Sequence, residues 1–419
     1  LATWQRITPT LYRFTLKEAR FHNGMPLTAR DVYATYSSVL QGSSPLRSTL
    51  GNIASLEVRD RRTLDFTLQR PDPLFPGKLT LGILPAPLIE KGHPFHQRPV
   101  GSGPFAFVDW PEENRLRLRR LEDGQLFEFL RVPDPTVRVL KLLKGEIHML
   151  QNDLPPELIA YLKRRKGVYL LRGKGSNFTY LGFNLQDPVV GEKRVRQAIA
   201  YAIDRPAIIR YLLKGAAREA SAMLPPEHWA GNPDLPSYPY DPAKARALLQ
   251  GRSPSITYKT SSDPFRLRLA TVIQHQLAQV GIRVDLRSYD WGTFYGDIKA
   301  GRFQMYSLSW VGIKTPDIFR YVFHSASIPP RGANRGRFSD PEVDRLIEAA
   351  EAAPTLEAQA LLYRKLQRLL WEALPYVPLW YEDHVFAARR GVSGYTIALD
   401  GNYDGLRHVH FDRSGKAVP

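Results

Sequence analysis

Along residues 11–17, LYRFTLK, apolar and polar positions alternate with the period of a half-buried strand, and the opening LATWQRITPTLYRF already shows that texture. FHNGMPLTARDV (21–32) follows, with a turn at Asn23-Gly24 and Thr28 three residues before Asp31, a capping-box spacing with Asp in place of Glu. DVYATYSSVL (31–40) has helical spacing, and VRDRRTLDFTLQ (58–69) reads as two strands joined by a polar turn. Residues 71–99 are rich in Pro and Gly and read as loops around one short helix. VGSGPFAFVDW and RLRLRRL then form an expected hairpin. PDPTVRVLKLLKGEIHML (133–150) is a helix stopped at Gly145, then a short strand, and PPELIAYLKRRKG (155–167) is another helix ended by glycine. NFTYLGFNLQ (177–186) is a strand, RVRQAIAYAIDRPAIIRYLLKG (194–215) a helix pair broken near Pro206, and YDPAKARALLQG (240–251) a short capped helix.

From residue 256 the pattern becomes strictly alternating by element: ITYKTSS strand, PFRLRLATVIQHQLAQVG helix, IRVDLRSYD strand, WGTFYGDIKAG helix, FQMYSLSW strand. This β-α-β-α-β order predicts an α/β domain with a mainly parallel sheet. Two amphipathic helices (339–353, 356–374) and a strand-like apolar run (375–395) complete it. In open α/β sheets ligands sit beyond the carboxyl ends of strands, so Trp310, at the end of a predicted strand, is expected to wall a pocket, with Tyr306 on the same face. Trp291 and Tyr295, four apart on a helix, fit a core position better than a ligand contact.

The chain of 419 residues exceeds one ordinary hydrophobic core, so two or three domains are expected. Lys and Arg number 58 against 41 acids, a net charge of +17 that raises nucleic acid, anionic lipid and acidic ligands as partners. The basic runs RDRR (59–62), RLRLRR (115–120) and KRRK (163–166) are scattered, however, and read as solvated faces with no nucleic-acid-binding motif beside them. The absence of cysteine excludes disulfides, thiolate metal sites and cysteine nucleophiles. No apolar run reaches transmembrane length and no signal peptide is visible. GSG at 101–103 lacks the nucleophile-elbow pattern, and there is no phosphate-loop or dinucleotide fingerprint, so an enzyme is not expected. His408-Val409-His410 reads as a solvated pair; no metal or cofactor is expected.

Five segments, in order, resemble one family, the extracellular solute-binding proteins (family 5) of ABC importers for dipeptides, oligopeptides and nickel. FHNGMPLTARDV is similar to the family's FHDG-x-PLTAEDV, and VGSGPFAFVDW to its VGTGPY segment. RVRQAIAYAIDRPAII is similar to VRQAL-x-x-AIDR-x-x-I, PYPYDPAKARALL to Y-x-YDP-x-KAK-x-LL, and LPYVPLWY to P-x-x-PL-x-Y. The resemblance implies a two-lobed periplasmic-binding-protein fold (α/β, type II, peptide-binding cluster) with an extra small α+β domain inserted in the first lobe. The implied division is 1–99 for the inserted and first-lobe region, 100–184 for the first lobe, 185–377 for the second lobe and 378–419 for the return to the first lobe. The family usually carries several dozen residues ahead of the FHDG segment, so the chain is expected to lack an upstream part.

The implied function is capture of a peptide or peptide-like ligand by lobe closure and delivery to the transmembrane subunits of an ABC permease. The protein would be a monomer, periplasmic or extracellular and membrane-associated, with no nucleic-acid partner. The implied ligand contacts are Trp310, Gly312, Ile313 and Tyr306 around the loop after the strand, and Tyr295 on the preceding helix. Tyr180 and Asn184, where the chain crosses between lobes, and Asn334 and Arg337 of the glycine-flanked GANRGRF loop (332–338) join them. That loop also carries Arg335, and arginine forks suit carboxylate or phosphate. Peptide-binding members often place an aspartate three residues after the Trp to pair with the peptide's ammonium. Here that position is Ile313, followed by Lys314, which favours a ligand with no free amine or with an anionic group. Two other readings differ in class: the ligand-sensing half of a transcription regulator with its DNA-binding domain upstream, and a basic nucleic-acid binder with steeply salt-dependent affinity.

Overall fold

The computed structural model describes residues 2–42, 44, 47, 50–152 and 154–411. It divides into two compact units, Leu1–Pro133 with Glu351–Gln359, and Asp134–Ala350 with Ala360–Pro419.

The first unit holds an antiparallel sheet of β1 (Ala2–Thr8), β2 (Leu11–Leu16), β3 (Ile53–Val58) and β4 (Thr63–Leu68), in the order β1-β2-β4-β3. Helix α1 (Ala29–Gln41) packs on it. The expected capping spacing is real: the Thr28 N–H donates to Asp31 Oδ2 at 2.7 Å, while Asp31 Oδ1 accepts from the Ala86 N–H at 2.8 Å. Strands β5 (Phe105–Glu112), β6 (Arg115–Arg120) and β7 (Leu126–Leu130) form a separate meander, one strand more than the expected hairpin. RLRLRR is its middle strand. Arg115, Arg117 and Arg120 pair with Glu128, Asp109 and Asp123, and Arg120 is buried. Acids on the neighbouring strands and in the following turn therefore pair with much of a run that composition alone reads as a solvated basic face.

The second unit begins with α2 (Pro135–Lys144), which stops at Gly145 in a left-handed turn (φ +83°), as expected. Then follow β8 (Met149–Gln151), α3 (Pro156–Lys163) and β9 (Val168–Phe183). Beyond these come α4 (Lys193–Ala202), β10 (Ala217–Glu219), α5 (Pro242–Leu249), β11 (Ser255–Ser261), α6 (Pro264–Ala278), β12 (Arg283–Tyr289), α7 (Trp291–Ala300) and β13 (Met305–Trp310). Helices α8 (Ile318–Phe323), α9 (Pro341–Ala352) and α10 (Leu356–Ala373) precede β14 (Tyr376–Arg389). One sheet runs β10-β14-β9-β13-β11-β12, with β8 added on β14.

The expected β-α-β-α-β order is present, but the sheet is mixed rather than mainly parallel. Only β11 pairs in parallel, with β12 and β13; β9, β10, β8 and β14 all pair antiparallel. Parallel pairing is confined to the three strands joined in succession by the crossover helices α6 and α7. The second correction is β9 itself, which runs 16 residues instead of starting at 177. Its first half, with Gly173 and Gly175, lacks a clean alternation and reads poorly as a strand from sequence.

The helix motif RVRQAIAYAIDRPAII shows why it has its composition. Val195, Ala198, Ile199 and Ala202, at helical spacing, bury one face of α4 in the core. Asp204 then ends the first helix and caps the next turn by accepting from the Ala207 N–H at 2.9 Å, so the break falls just before Pro206. The two arginines turn inward. Arg196 donates to the carbonyls of Val190, Gly191, Ala373 and Leu374. Arg205, with no exposed surface, donates to those of Ala200, Ile203, Tyr238 and Pro378. Burial alone pulls the Arg205 guanidinium down to about 10, still charged at neutral pH. These bonds fasten α4 to the end of α10 and to β14. Replacing Arg205 by Met should leave several buried carbonyls without donors. A loss of at least about 3 kcal/mol is expected in urea unfolding, against well under 1 kcal/mol for Arg246→Met on the surface of α5.

Candidate functional site

The chain leaving β11 enters α6, whose Leu269, Ala270, Ile273 and Leu277 pack on one face of the sheet. The chain leaving β13 reaches Ile313, Phe319, Val322 and Phe323, which pack on the other. Adjacent parallel strands whose exits part to opposite faces leave a crevice at their carboxyl ends. A cleft of about 310 Å³ lies there. Ser261 and Asp263 follow β11, Trp291 and Phe294 come from α7, and Ser307 and Ser309 from β13. The local sequence explains the edges. Asp263 and Asp290 cap α6 and α7 by accepting from the N–H groups of Arg266 (2.9 Å) and Thr293 (3.1 Å), so both helices begin at the cleft.

A polar rail crosses its floor. Thr179 of β9 lies opposite Ser309 of β13, their hydroxyls 2.6 Å apart, and donates to Glu382 Oε1 at 2.8 Å. Arg266 Nη1 donates to the same oxygen at 3.0 Å. Burial works to raise the Glu382 carboxyl, but the Arg266 charge and these hydrogen bonds outweigh it and hold it below the ordinary value of 4.5. Beside it lies Trp380, which lines the cleft and whose buried indole N–H is directed at the Glu382 carboxylate without reaching full hydrogen-bond geometry. The cleft therefore presents hydroxyls, one held ion pair and aromatic faces, which is recognition chemistry.

The nine expected contacts fall into two groups. Trp310, Tyr306, Tyr180 and Tyr295 come together, on the sheet face opposite Ser307 and Ser309. Tyr306 and Tyr180 are fully buried with their hydroxyls 3.5 Å apart, and Trp310 is half-buried, edge-on to Tyr321. The residue they surround is Arg335. Its guanidinium lies 4.8 Å from the Trp310 ring and donates to the hydroxyls of Tyr295 (3.0 Å) and Tyr180 (3.4 Å). Gly312 follows Trp310 in a left-handed turn (φ +70°), and Ile313 is buried in the apolar cluster, a core position where a charge would be costly.

The remaining three fasten loops. Asn334 is buried, its amide donating to the carbonyls of His324 and Phe338 and accepting from the Phe338 N–H. Arg337 donates to the carbonyls of Arg335 and Ala300, at the carboxyl end of α7. Asn184 donates to Gly301 O. Trp291, expected in the core, is 59% exposed and stacks on Tyr295 at 5.3 Å, a flat apolar surface on the cleft.

Thr179, Ser309, Glu382, Arg266 and Trp380 escaped the sequence reading. A signal existed for one of them: the polar positions of SLSW alternate with Leu308 and Trp310, so Ser309 shares a face with Ser307. Glu382 and Arg266 meet only through strand register.

A mixed α/β unit with a ligand-sized crevice at its switch point, furnished for recognition, defines a solute-binding protein. The model for bacterial extracellular solute-binding proteins, family 5 (middle), matches residues 2–328, and the chain belongs to that family. It is 28% identical to the dipeptide-binding protein of Escherichia coli over 86% of this chain and 71% of that protein. It is 29% identical to heme-binding protein A of Haemophilus influenzae over 90% of this chain and 74% of that one. The periplasmic binding protein DppA of Helicobacter pylori, solved with the peptide STSA, superposes with TM-score 0.83 at 25% identity, over 98% of this chain and 88% of that one. The expected two-lobed periplasmic-binding fold is thereby the fold of this chain, and its members are transport proteins rather than enzymes. The match fits the importer reading and not the transcription-regulator one. Among the described residues no helix is long and apolar enough to cross a membrane.

Because the Glu382 value is depressed in the folded state, its charge contributes stability above the ordinary range and loses that contribution as pH falls through the depressed value. The difference in thermal midpoint between wild type and Glu382→Gln should be constant through neutral pH and narrow below about pH 4. A difference that stays flat to the acid limit would show that the pair does not hold the charge.

Proposed function

We propose that this chain captures a peptide or peptide-like solute in the switch-point cleft and delivers it to the transmembrane subunits of an ABC permease. The observation that carries the reading is the cleft itself, a concave site of small-ligand size in a chain of this family. The solute lies along the Ser309–Thr179 rail with an apolar group on Trp291. The ligand contacts are accordingly Thr179, Ser309, Trp291 and Trp380, with Trp310 at the rim. The protein acts as a monomer outside the cytoplasm, held near the membrane that carries its permease.

Lobe closure is the mechanism. The second lobe comprises 185–377, and its hinge lies in the strands that flank it, β9 and β14. Support comes from their pairing, which shifts register between Glu382 and His384, opposite Gly173 and Gly175. A side chain at Gly175 would collide with the Glu382 carbonyl, so the strands approach there as glycine alone permits. Lys314, the base that stands after the missing acid, is paired with Asp400 at 2.8 Å. It thereby joins the loop after β13 to the segment after β14.

Native mass spectrometry of the purified protein should read a monomer and release a bound small molecule. Calorimetry with mixed short peptides should then give micromolar or tighter binding, with compaction in small-angle scattering. Ser309→Leu, which fills the cleft, should weaken binding at least about tenfold, and Trp291→Ala by several-fold, with unfolding midpoints little changed. Peptides that bind equally to the Ser309→Leu protein would place the site elsewhere.

A further inference from the structure

Most cations near the site have a partner that accounts for them. Arg266 has Glu382, Lys314 has Asp400, Lys259 has Asp297 at 2.6 Å, and Arg337 has two carbonyls. Arg335 is different. It is 7% exposed, and the titratable groups that face it are four tyrosines, 180, 295, 306 and 376, with no carboxylate among them. It lies against the rings of Trp310 (4.8 Å) and Tyr295 (5.3 Å). Cation–π contact offsets part of the cost of burying a charge, but Arg335 has neither an anion nor the backbone carbonyls on which the buried Arg196 and Arg205 donate.

Two further groups in the same cluster are unfinished. The Trp310 indole N–H is buried and has no partner. The Tyr376 hydroxyl, on a side chain only 6% exposed, lies beside those of Tyr180 and Tyr306 without reaching hydrogen-bond geometry; its ring stacks on Tyr180 at 4.0 Å. Buried donors with no acceptor are rare and call for an explanation. Here a cation and two donors collect within one cluster, and the missing element common to all three is a negatively charged acceptor.

We propose that this cluster is a carboxylate subsite: Arg335 supplies the charge, the Trp310 indole N–H and the Tyr376 hydroxyl supply added donors, and the occupant is a carboxylate of the bound solute. The proposal rests on the solute-binding reading and narrows it to acidic ligands. A planar carboxylate suits a guanidinium fork held between aromatic faces better than a tetrahedral phosphate does. Entry is from the Trp310 edge. Trp310 is the last residue of β13, its neighbours Val311 and Tyr321 are exposed, and Gly312 beyond it has open space around its α-carbon. Rotation of the indole exposes the guanidinium.

The test has two arms. In the first, thermal unfolding is followed with millimolar benzoate, its neutral isostere benzamide, or inorganic phosphate. Wild type should be stabilised by benzoate well beyond the other two, and Arg335→Gln, checked for its fold by circular dichroism, should lose the preference. In the second, calorimetry compares N-acetylated short peptides carrying a free carboxyl with their amidated twins. The free acids should bind wild type about tenfold or more tightly than the amides, and Arg335→Gln should erase the difference while still binding the amides. Benzoate preference that depends on Arg335, with neither peptide set bound, upholds the subsite and sinks the peptide reading. Peptides bound without regard to the carboxyl uphold the peptide reading and overturn the subsite, as does a preference that survives in Arg335→Gln or a response to phosphate equal to that to benzoate. If Arg335→Gln does not fold, Trp310→Phe, which removes the indole N–H, decides: a carboxylate preference reduced several-fold supports the proposal, and an unchanged one overturns it.

Discussion

The pairing of β9 with β14 is the constraint on which the rest of this molecule depends. It joins Val168–Phe183 to Tyr376–Arg389, segments about two hundred residues apart in the chain, and the sheet of the second unit is built outward from this pair. β13 pairs with the far edge of β9, which puts Ser309 opposite Thr179. Trp380 lies opposite Thr179 from the other side, and Glu382 two residues on brings its carboxylate to the Thr179 hydroxyl. Since side chains alternate across a sheet, a slip of one residue in either ladder would turn this rail to the wrong face and put apolar rings in its place. The buried Arg196 and Arg205 guard against such a slip. Their forks take the carbonyls of Leu374 and Pro378 on either side of the start of β14.

That parity also separates the two chemistries of β13. Ser307 and Ser309 face the cleft and the rail, whereas Tyr306 and Trp310 face the tyrosine cluster around Arg335. One short strand thus carries a hydroxyl-lined surface and an aromatic box back to back. The loop after it parts from the chain after β11, and the space between the two exits is the cleft. The tryptophan at the strand end is half-buried, packed on the Arg335 guanidinium and partly open to solvent.

Legibility of the sequence followed the range of the interactions. Features set within a few residues were readable: the Thr28–Asp31 cap, the stop at Gly145, the break before Pro206 and the β-α-β-α-β run. The cleft lies at the carboxyl ends of β11 and β13, but its lining takes Ser307 and Ser309 and not the expected Trp310 and Tyr306, which lie on the other face of β13. What escaped was decided by register between distant strands. Glu382 and Arg266 are 116 positions apart, and nothing local marks either as a partner of the other. Asn334 and Arg337 were natural candidates by residue type, yet a loop with several polar residues needs some of them to satisfy its own backbone, and these two do so. Trp291 misled in the opposite sense: helical spacing to Tyr295 signals packing between the two rings without saying which side of the pair meets solvent.

The three buried arginines show how a structural cation differs from one kept for a ligand. Arg196 and Arg205 each donate to four backbone carbonyls, which have no proton of their own to place. The carbonyls such a fork uses are satisfied by the bond, although Arg205 keeps its buried Nη2 without a partner. Arg335 donates to phenols, and a phenol that accepts must still find an acceptor for its own O–H. Ringing a guanidinium with hydroxyls therefore moves the shortage of acceptors one step outward, onto Tyr180, Tyr306 and Tyr376, and does not remove it. An anion placed at such a cluster ends the shortage for cation and hydroxyls together. The same residue type, buried in each place, thus serves as a clasp on backbone carbonyls at the start of β14 and stands among phenols beneath Trp310.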